Sequence, residues 1–234
     1  MTLNLFTQFA PPYLLGITLF AFITALPWTL FLTPPWPWWL PGSRWSFVCS
    51  NVVKDFLKQI FSPMNVLGQK WALIFTSLMF FLLSNNLLGL LPYTFTPTTQ
   101  LSMNLGLAFP FWLVTVLVAI RHELNNTLAH LLPTGTPTLL IPFLIILETI
   151  SLLIRPMALG VRLTANLTAG HLLIQLISMA TIYVYTHSAA YSLLIFVPLL
   201  LLTILEMAVA IIQAYVFVML LSFYIQENLS PPPA

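Results

Sequence analysis

An all-α membrane protein of about five to six helices, plus one surface amphipathic helix, is predicted by three features of this sequence. Hydrophobic residues make up 59% of the 234 and charged residues only 5%, whereas a soluble domain carries roughly 25% charged residues. Mean hydropathy is +0.98. Apolar runs long enough to cross a bilayer, about 20 residues each, recur along the chain. So few charges cannot build a water-facing surface, so lipid must cover most of the protein. The net charge of +2 is too small and too dispersed for nucleic-acid binding. Cys49 is the single cysteine, which excludes an internal disulfide and a Cys-based metal cluster. No cofactor is expected, and no large soluble domain.

The N-terminus, MTLNLFTQFAPPYLL, has neither the basic region of a secretory signal nor the Arg and Ser of a transit peptide. The chain is therefore expected to be made where it is used, or to keep its first apolar segment as an inserted anchor. Residues 14–32 form the first expected span, with Pro27 as a kink. The loop TPPWPWWLPGSRW follows, and its tryptophans suit a membrane–water boundary. Residues 45–61 place Trp45, Val48, Val52, Val53, Phe56 and Ile60 near helical spacing, with Asn51, Lys54, Asp55, Lys58 and Gln59 opposite. That pattern fits an amphipathic helix on the membrane surface, or a short helix docked under another subunit.

Residues 71–91 are the second span. Ser84, Asn85 and Asn86 near its end are polar enough to seek a partner helix or water. Residues 102–120 are the third span. Arg44, Lys54, Lys58 and Lys70 lie between spans one and two and Arg121 follows span three. The positive-inside rule then places these groups on the synthesis side and the N-terminus on the other. Residues 138–185 and 189–226 are longer. As helices they would reach about 70 Å and about 57 Å, against a hydrocarbon core of about 30 Å. They are either broken into several spans, at Pro142, Pro156 or Pro198, or steeply tilted.

Most of the unusual charges lie in these two segments: Glu148, Arg155, Arg162, His171 and Glu206. Each ionisable group costs at least about 2.5–3.5 kcal/mol in a membrane and faces protein or water. Glu148, Arg155 and Arg162 are seven apart, and Asn166 lies one turn beyond, so all four share a stripe if the helix persists through Pro156. The row Ala158, Arg162, Asn166, Gly170 is small-residue-rich and admits another helix closely. His171, nine residues from Arg162, faces nearly the opposite way. Glu206 and Gln213 are also seven apart, and Glu206 can meet His171 if the segments form an antiparallel hairpin. An arginine stays charged, while carboxylate and imidazole can exchange protons. A fixed charge among titratable groups is what a proton path with a barrier requires. The bland readings are a Glu148–Arg155 structural ion pair, His171 as a satisfied core histidine, and Gln175 and Gln213 as interhelical glue. Tyr183, Tyr185, Tyr191 and Tyr224 suit interfacial anchoring. No phosphate-binding Gly-rich loop is present.

The runs LGVRLTANLTAGHLL (159–173) and LEMAVAIIQAYVFVMLLSFY (205–224) resemble the a-subunit family of F-type ATP synthases. The resemblance extends through LLGLLPYTFTPTTQLSMNL and LIPFLIILETISLLIRPMALG and covers essentially the whole chain. It implies that the last two segments are long, strongly tilted helices curving against a rotating c-ring. It implies that Arg162 faces the ring's acidic residue, with Asn166 a neighbouring polar position and Gln213 opposite. His171 and Glu206 would line the half-channel from the proton-rich side, and Glu148 would lie near the inner half-channel. The order His171 then Glu206 resembles the mitochondrial form, since bacterial relatives tend to reverse the two types. Arg155 takes no role from the family. The implied partners are the c-ring, other Fo and peripheral-stalk subunits and lipid. The implied cargo is the proton, and the implied location is the mitochondrial inner membrane. The chain would conduct protons without being catalytic by itself. Two rival classes remain: an ion-coupled transporter, which predicts internal repeats that this sequence lacks, and a structural or assembly subunit.

Overall fold

The structure is a computed structural model that describes residues 9–14, 17–20, 23–25, 51, 54, 55, 58, 71–91, 94–122 and 140–229. Most of the expected first span (14–32) and of the amphipathic segment (45–61) lies outside the described residues. Near the start the described residues include a two-residue antiparallel pair, β1 (Tyr13–Leu14) and β2 (Ile17–Thr18), with Tyr13 opposite Thr18 and Leu14 opposite Ile17, followed by helical residues at 20 and 23–25. Pro11 and Pro12 precede it, and proline holds its preceding residue in extended backbone.

Four helices dominate the described residues: α1 (Ala72–Gly89), α2 (Leu101–His122), α3 (Ile141–His187) and α4 (Ala189–Leu229), with a 3₁₀ turn at Pro97–Thr99 before α2. The two long apolar runs are therefore two unbroken helices. Pro142 stands at the second residue of α3, where its missing N–H has no intrahelical partner to lose. Pro110, Pro156 and Pro198 lie inside helices that continue past them. Ser188 alone separates α3 from α4. At 1.5 Å per residue, α3 rises about 70 Å and α4 about 61 Å. Both exceed the hydrocarbon thickness about twofold, so in a bilayer they tilt or curve.

The chain divides into two compact units, each built from parts of the same four helices. In the first (1–31, 80–104, 161–215) the buried positions are Leu82, Asn85, Asn86 and Gly89 of α1, the turn Thr96–Thr99, Asn104, Leu163 and Leu167 of α3, and Glu206, Ala210 and Ala214 of α4. Gly89 is needed here because a Cβ would collide with the Thr96 side chain. Thr94 Oγ1 donates to Leu91 O at 2.6 Å, with Leu88 O 2.8 Å away, reinforcing the backbone bonds from Thr94 N and Leu91 N that those two carbonyls accept just past α1. Asn86 Nδ2 donates to Ala210 O of α4 at 3.2 Å. Ser84 and Asn85 instead return to their own helix, at Phe80 O (2.7 Å) and Phe81 O (2.9 Å). Of the three polar residues expected to seek a partner helix or water, Asn86 is the one that reaches another helix among the described residues.

In the second unit (32–79, 105–160, 216–234) the core is Phe75, Leu78 and Met79 of α1, then Ala108, Trp112, Thr115 and Ala119 of α2. Pro156, Leu159 and Gly160 of α3 and Phe217, Val218, Leu221, Ser222 and Ile225 of α4 complete it. The spacings of three and four are those of one helical face. Phe143, Ile146, Leu147, Ile150, Leu153 and Ile154 of α3 are exposed. For a helix whose solvent is lipid, such a face is the natural outer surface.

Candidate functional site

The first unit buries a carboxylate. Glu206 is 3% exposed and heads the α4 row Glu206, Ala210, Ala214. The methyl side chains along that row permit close approach of a neighbouring helix. On α3, Gly170 faces the carboxylate: a Cβ added there would sit 2.6 Å from Glu206 Oε1 and 2.9 Å from its Cδ. The glycine thus makes the room that Glu206 fills. The next residue, His171, places Nδ1 3.7 Å from Glu206 Oε1. Gly170 and His171 precede Ser188 by nearly as many residues as Glu206 follows it, so here α3 and α4 run antiparallel. Both Glu206 oxygens, His171 Nε2 and Gln175 Oε1 are buried with no hydrogen-bond partner. Gln175, one turn beyond His171, falls on the same helix face. Buried polar groups are normally satisfied, and these four atoms share that unpartnered state with Asn86 Oδ1, Thr98 Oγ1 and Asn104 Oδ1 of the same unit; what distinguishes this group is that it holds the ionisable side chains. At 3.7 Å the carboxylate and the imidazole are neighbours without a direct hydrogen bond, and both are groups that can take up and release a proton.

Arg162 stands apart from that centre. It is exposed, as are Asn166 and the small residues Ala165 and Ala169. Leu163 and Leu167, on the opposite side of α3, are buried. Among the described residues Arg162 forms no hydrogen bond and no ion pair. The nine-residue spacing predicted opposite faces for Arg162 and His171, and the structure has the first outward and the second packed on α4. Gln213 of α4 is half-buried.

In the second unit Arg155 is the centre of a separate cluster. Its Nη1 donates to Glu227 Oε2 at 2.9 Å and its Nη2 to Glu227 Oε1 at 3.3 Å. Nη2 is also 3.8 Å from Glu148 Oε1, and the guanidinium lies 5.2 Å from the centre of the Tyr224 ring. Glu148 is thus near Arg155, as its structural reading allowed, but Glu227 is the closer partner. Glu227 was not among the residues singled out from sequence. It sits where the apolar run passes into the polar tail, and only the fold of α4 back along α3 brings it to Arg155. Tyr224, expected as an interfacial anchor, is also part of this cluster. No three metal-ligating side chains converge among the described residues.

Among the described residues four helices are long and apolar enough to cross a membrane: Ala72–Gly89, Leu101–Arg121, Ile141–His187 and Tyr191–Glu227. With ionisable groups inside two of them, the chain is a multi-pass helical membrane protein of the kind that handles ions within the bilayer. A family model described as ATP synthase A chain matches residues 14–226. "ATP synthase F(0) complex subunit a" of Struthio camelus is 60% identical over 229 residues, 98% of this chain and 100% of that protein. Proteins of the same description from Salmo salar and Gadus morhua are 56% and 57% identical, each over 97% of this chain and 100% of their own length. The chain belongs to the ATP synthase A chain family, the a subunits of the F(0) complex. ATP synthesis and proton transport are the business of that family.

Proposed function

We propose that this chain is the proton-translocating a subunit of a mitochondrial inner-membrane ATP synthase, and that Arg162 is its separator between two proton inlets. The observation that carries the reading is Arg162 itself. A guanidinium remains charged at any physiological pH, and placing one in a membrane helix is costly. Yet this one is exposed and has no counter-charge among the described residues. No described carboxylate of the chain pairs with it, and a carboxylate on a neighbouring c-ring supplies the anion.

The other residues divide the path. Glu206 and His171 take protons from the intermembrane side and pass them to the ring carboxylate. A neutralised ring site then moves into lipid. After nearly a full rotation it releases its proton on the inner side, where Glu148 lies. Arg162 draws in the returning carboxylate and prevents protons from crossing directly between inlets. Asn166, one turn along the same exposed face, and Gln213 of α4 are polar neighbours that orient the exchange. Each proton contributes about 2.3 kcal/mol per 100 mV of membrane potential. The nucleotide chemistry belongs to other subunits of the complex.

The test is proton pumping by the assembled complex in lipid vesicles. Arg162→Ala should abolish coupled synthesis while permitting proton leak, and full synthesis in that variant would defeat the assignment. Glu206→Gln should slow proton conduction with assembly intact, and an unchanged flux would remove Glu206 from the path.

A further inference from the structure

Asn104 is 1% exposed at the start of α2, in the first unit. Its Nδ2 donates to Thr98 O at 2.6 Å and to Thr164 Oγ1 at 2.7 Å. A backbone carbonyl can only accept, so the amide orientation is settled by chemistry. One side chain thereby joins three segments: the turn Pro97–Thr99, α2 and α3. The turn is itself fixed, with Thr96, Thr98 and Thr99 buried and Thr99 Oγ1 donating to Thr96 O at 2.7 Å.

Thr164 follows Arg162 by two residues. On a helix that is about 200° around the axis and about 3 Å along it. The hydrogen bond from Asn104 thus grips the inner side of α3 at the height where Arg162 leaves the outer side. Leu163 and Leu167, both 1% exposed, are buried apolar positions at this height. Apolar contacts between membrane helices discriminate weakly, because lipid is as apolar as leucine, and polar bonds set the register. A roll of one residue, about 100°, would turn Arg162 from its outward face.

We infer that Asn104 is a positioning residue for Arg162: by holding Thr164 it sets the roll and height of α3 and so aims the guanidinium outward. This rests on the reading of Arg162 as the working cation. Asn104 itself touches no proton in transit.

The experiment measures ATP-driven proton pumping per assembled complex in vesicles, for Thr164→Val, Thr164→Ser, Asn104→Leu and the double variant Asn104→Leu/Thr164→Val, with Arg162→Ala alongside. Valine keeps the shape of threonine without the hydroxyl, and serine keeps the hydroxyl. Thr164→Val should lower pumping per complex about threefold, the worth of one interhelical hydrogen bond in a membrane, while Thr164→Ser stays close to the parent. The double variant should fall no further than Asn104→Leu, since both remove the same bond. A purely structural bond would reduce the amount of complex and leave turnover per complex untouched. If Asn104→Leu does not assemble, the Val and Ser pair at Thr164 still decides. Parental turnover in Thr164→Val beside an inactive Arg162→Ala would overturn the inference and leave the Arg162 reading standing. Normal pumping by Arg162→Ala would remove that reading, and the inference with it.

Discussion

Two adjacent residues of α3, Gly170 and His171, have opposite tasks. The glycine makes space and the histidine brings a titratable ring to the same carboxylate, 3.7 Å from Glu206 Oε1. The space is tight, since a methyl at position 170 would come within 2.6 Å of that oxygen. Gly170→Ala must therefore displace the Glu206 carboxylate from His171 or push the helices apart. Overpacking of this kind costs about 1–3 kcal/mol. The variant is expected to assemble with lowered thermal stability and to conduct protons more slowly than the parent. Unchanged flux into vesicles would show that the carboxylate need not stay where it is. The identity of Gly170 is plain in the sequence, but its reason is not. From the sequence it is one small residue in a row with Ala158, and only the approach of α4 shows what it admits.

Helices in this protein are held partly by backbone-directed polar contacts. Hydroxyls mostly return to their own helix, as Thr168 does to Thr164 O (2.9 Å) and Ser222 to Met219 O (2.7 Å), which satisfies them without a partner. Two asparagines, Asn86 and Asn104, reach a neighbouring helix. Asn86 ties α1 to the α4 backbone at Ala210, one turn beyond Glu206. Asn86→Leu keeps similar bulk and removes the donor. Interhelical bonds of this type average about 0.6 kcal/mol. The expected outcome is a small loss of thermal stability, with Ala210 O left unsatisfied by that partner. A loss of several kcal/mol in a denaturation series would mean that Asn86 does more than link two helices. The continuity of α3 and α4 belongs to this scale too. The apolar runs could be read either as several broken spans or as two long helices, because proline disfavours helix interiors without forbidding them. Both helices run on past Pro156 and Pro198.

At the scale of the molecule, Glu206, His171, Arg162 and Arg155 of the two long helices fall into three environments: a buried acid–imidazole pair, an exposed arginine and a clustered arginine. The cluster closes the hairpin of α3 and α4 within the second unit, through the paired hydrogen bonds of Arg155 with Glu227. Arg155 is 20% exposed and Glu227 39%, so solvent screening limits the pair to about 1 kcal/mol, with the Tyr224 ring adding about 0.5–1 kcal/mol. Arg155→Gln should lower the thermal stability of the complex modestly, and Glu227→Gln should add little once Arg155 is gone. A double-mutant cycle measures this coupling. Independent, additive losses would mean that the two side chains do not act as a pair.

Composition alone determined that this chain lives in lipid, since a 5% charged sequence has no means of covering itself in water. Helical periodicity determined that Arg162 and His171 face apart, because angle along one helix follows from residue count. The pairings between helices were decided by tertiary structure. Glu227 meets Arg155, Gly170 yields to Glu206 and Asn104 holds Thr164 only once segments distant in sequence are packed side by side. The physical reason is that a single chain's spacing fixes direction around an axis, whereas a partner is chosen by the depth and approach of another helix, and those come from packing.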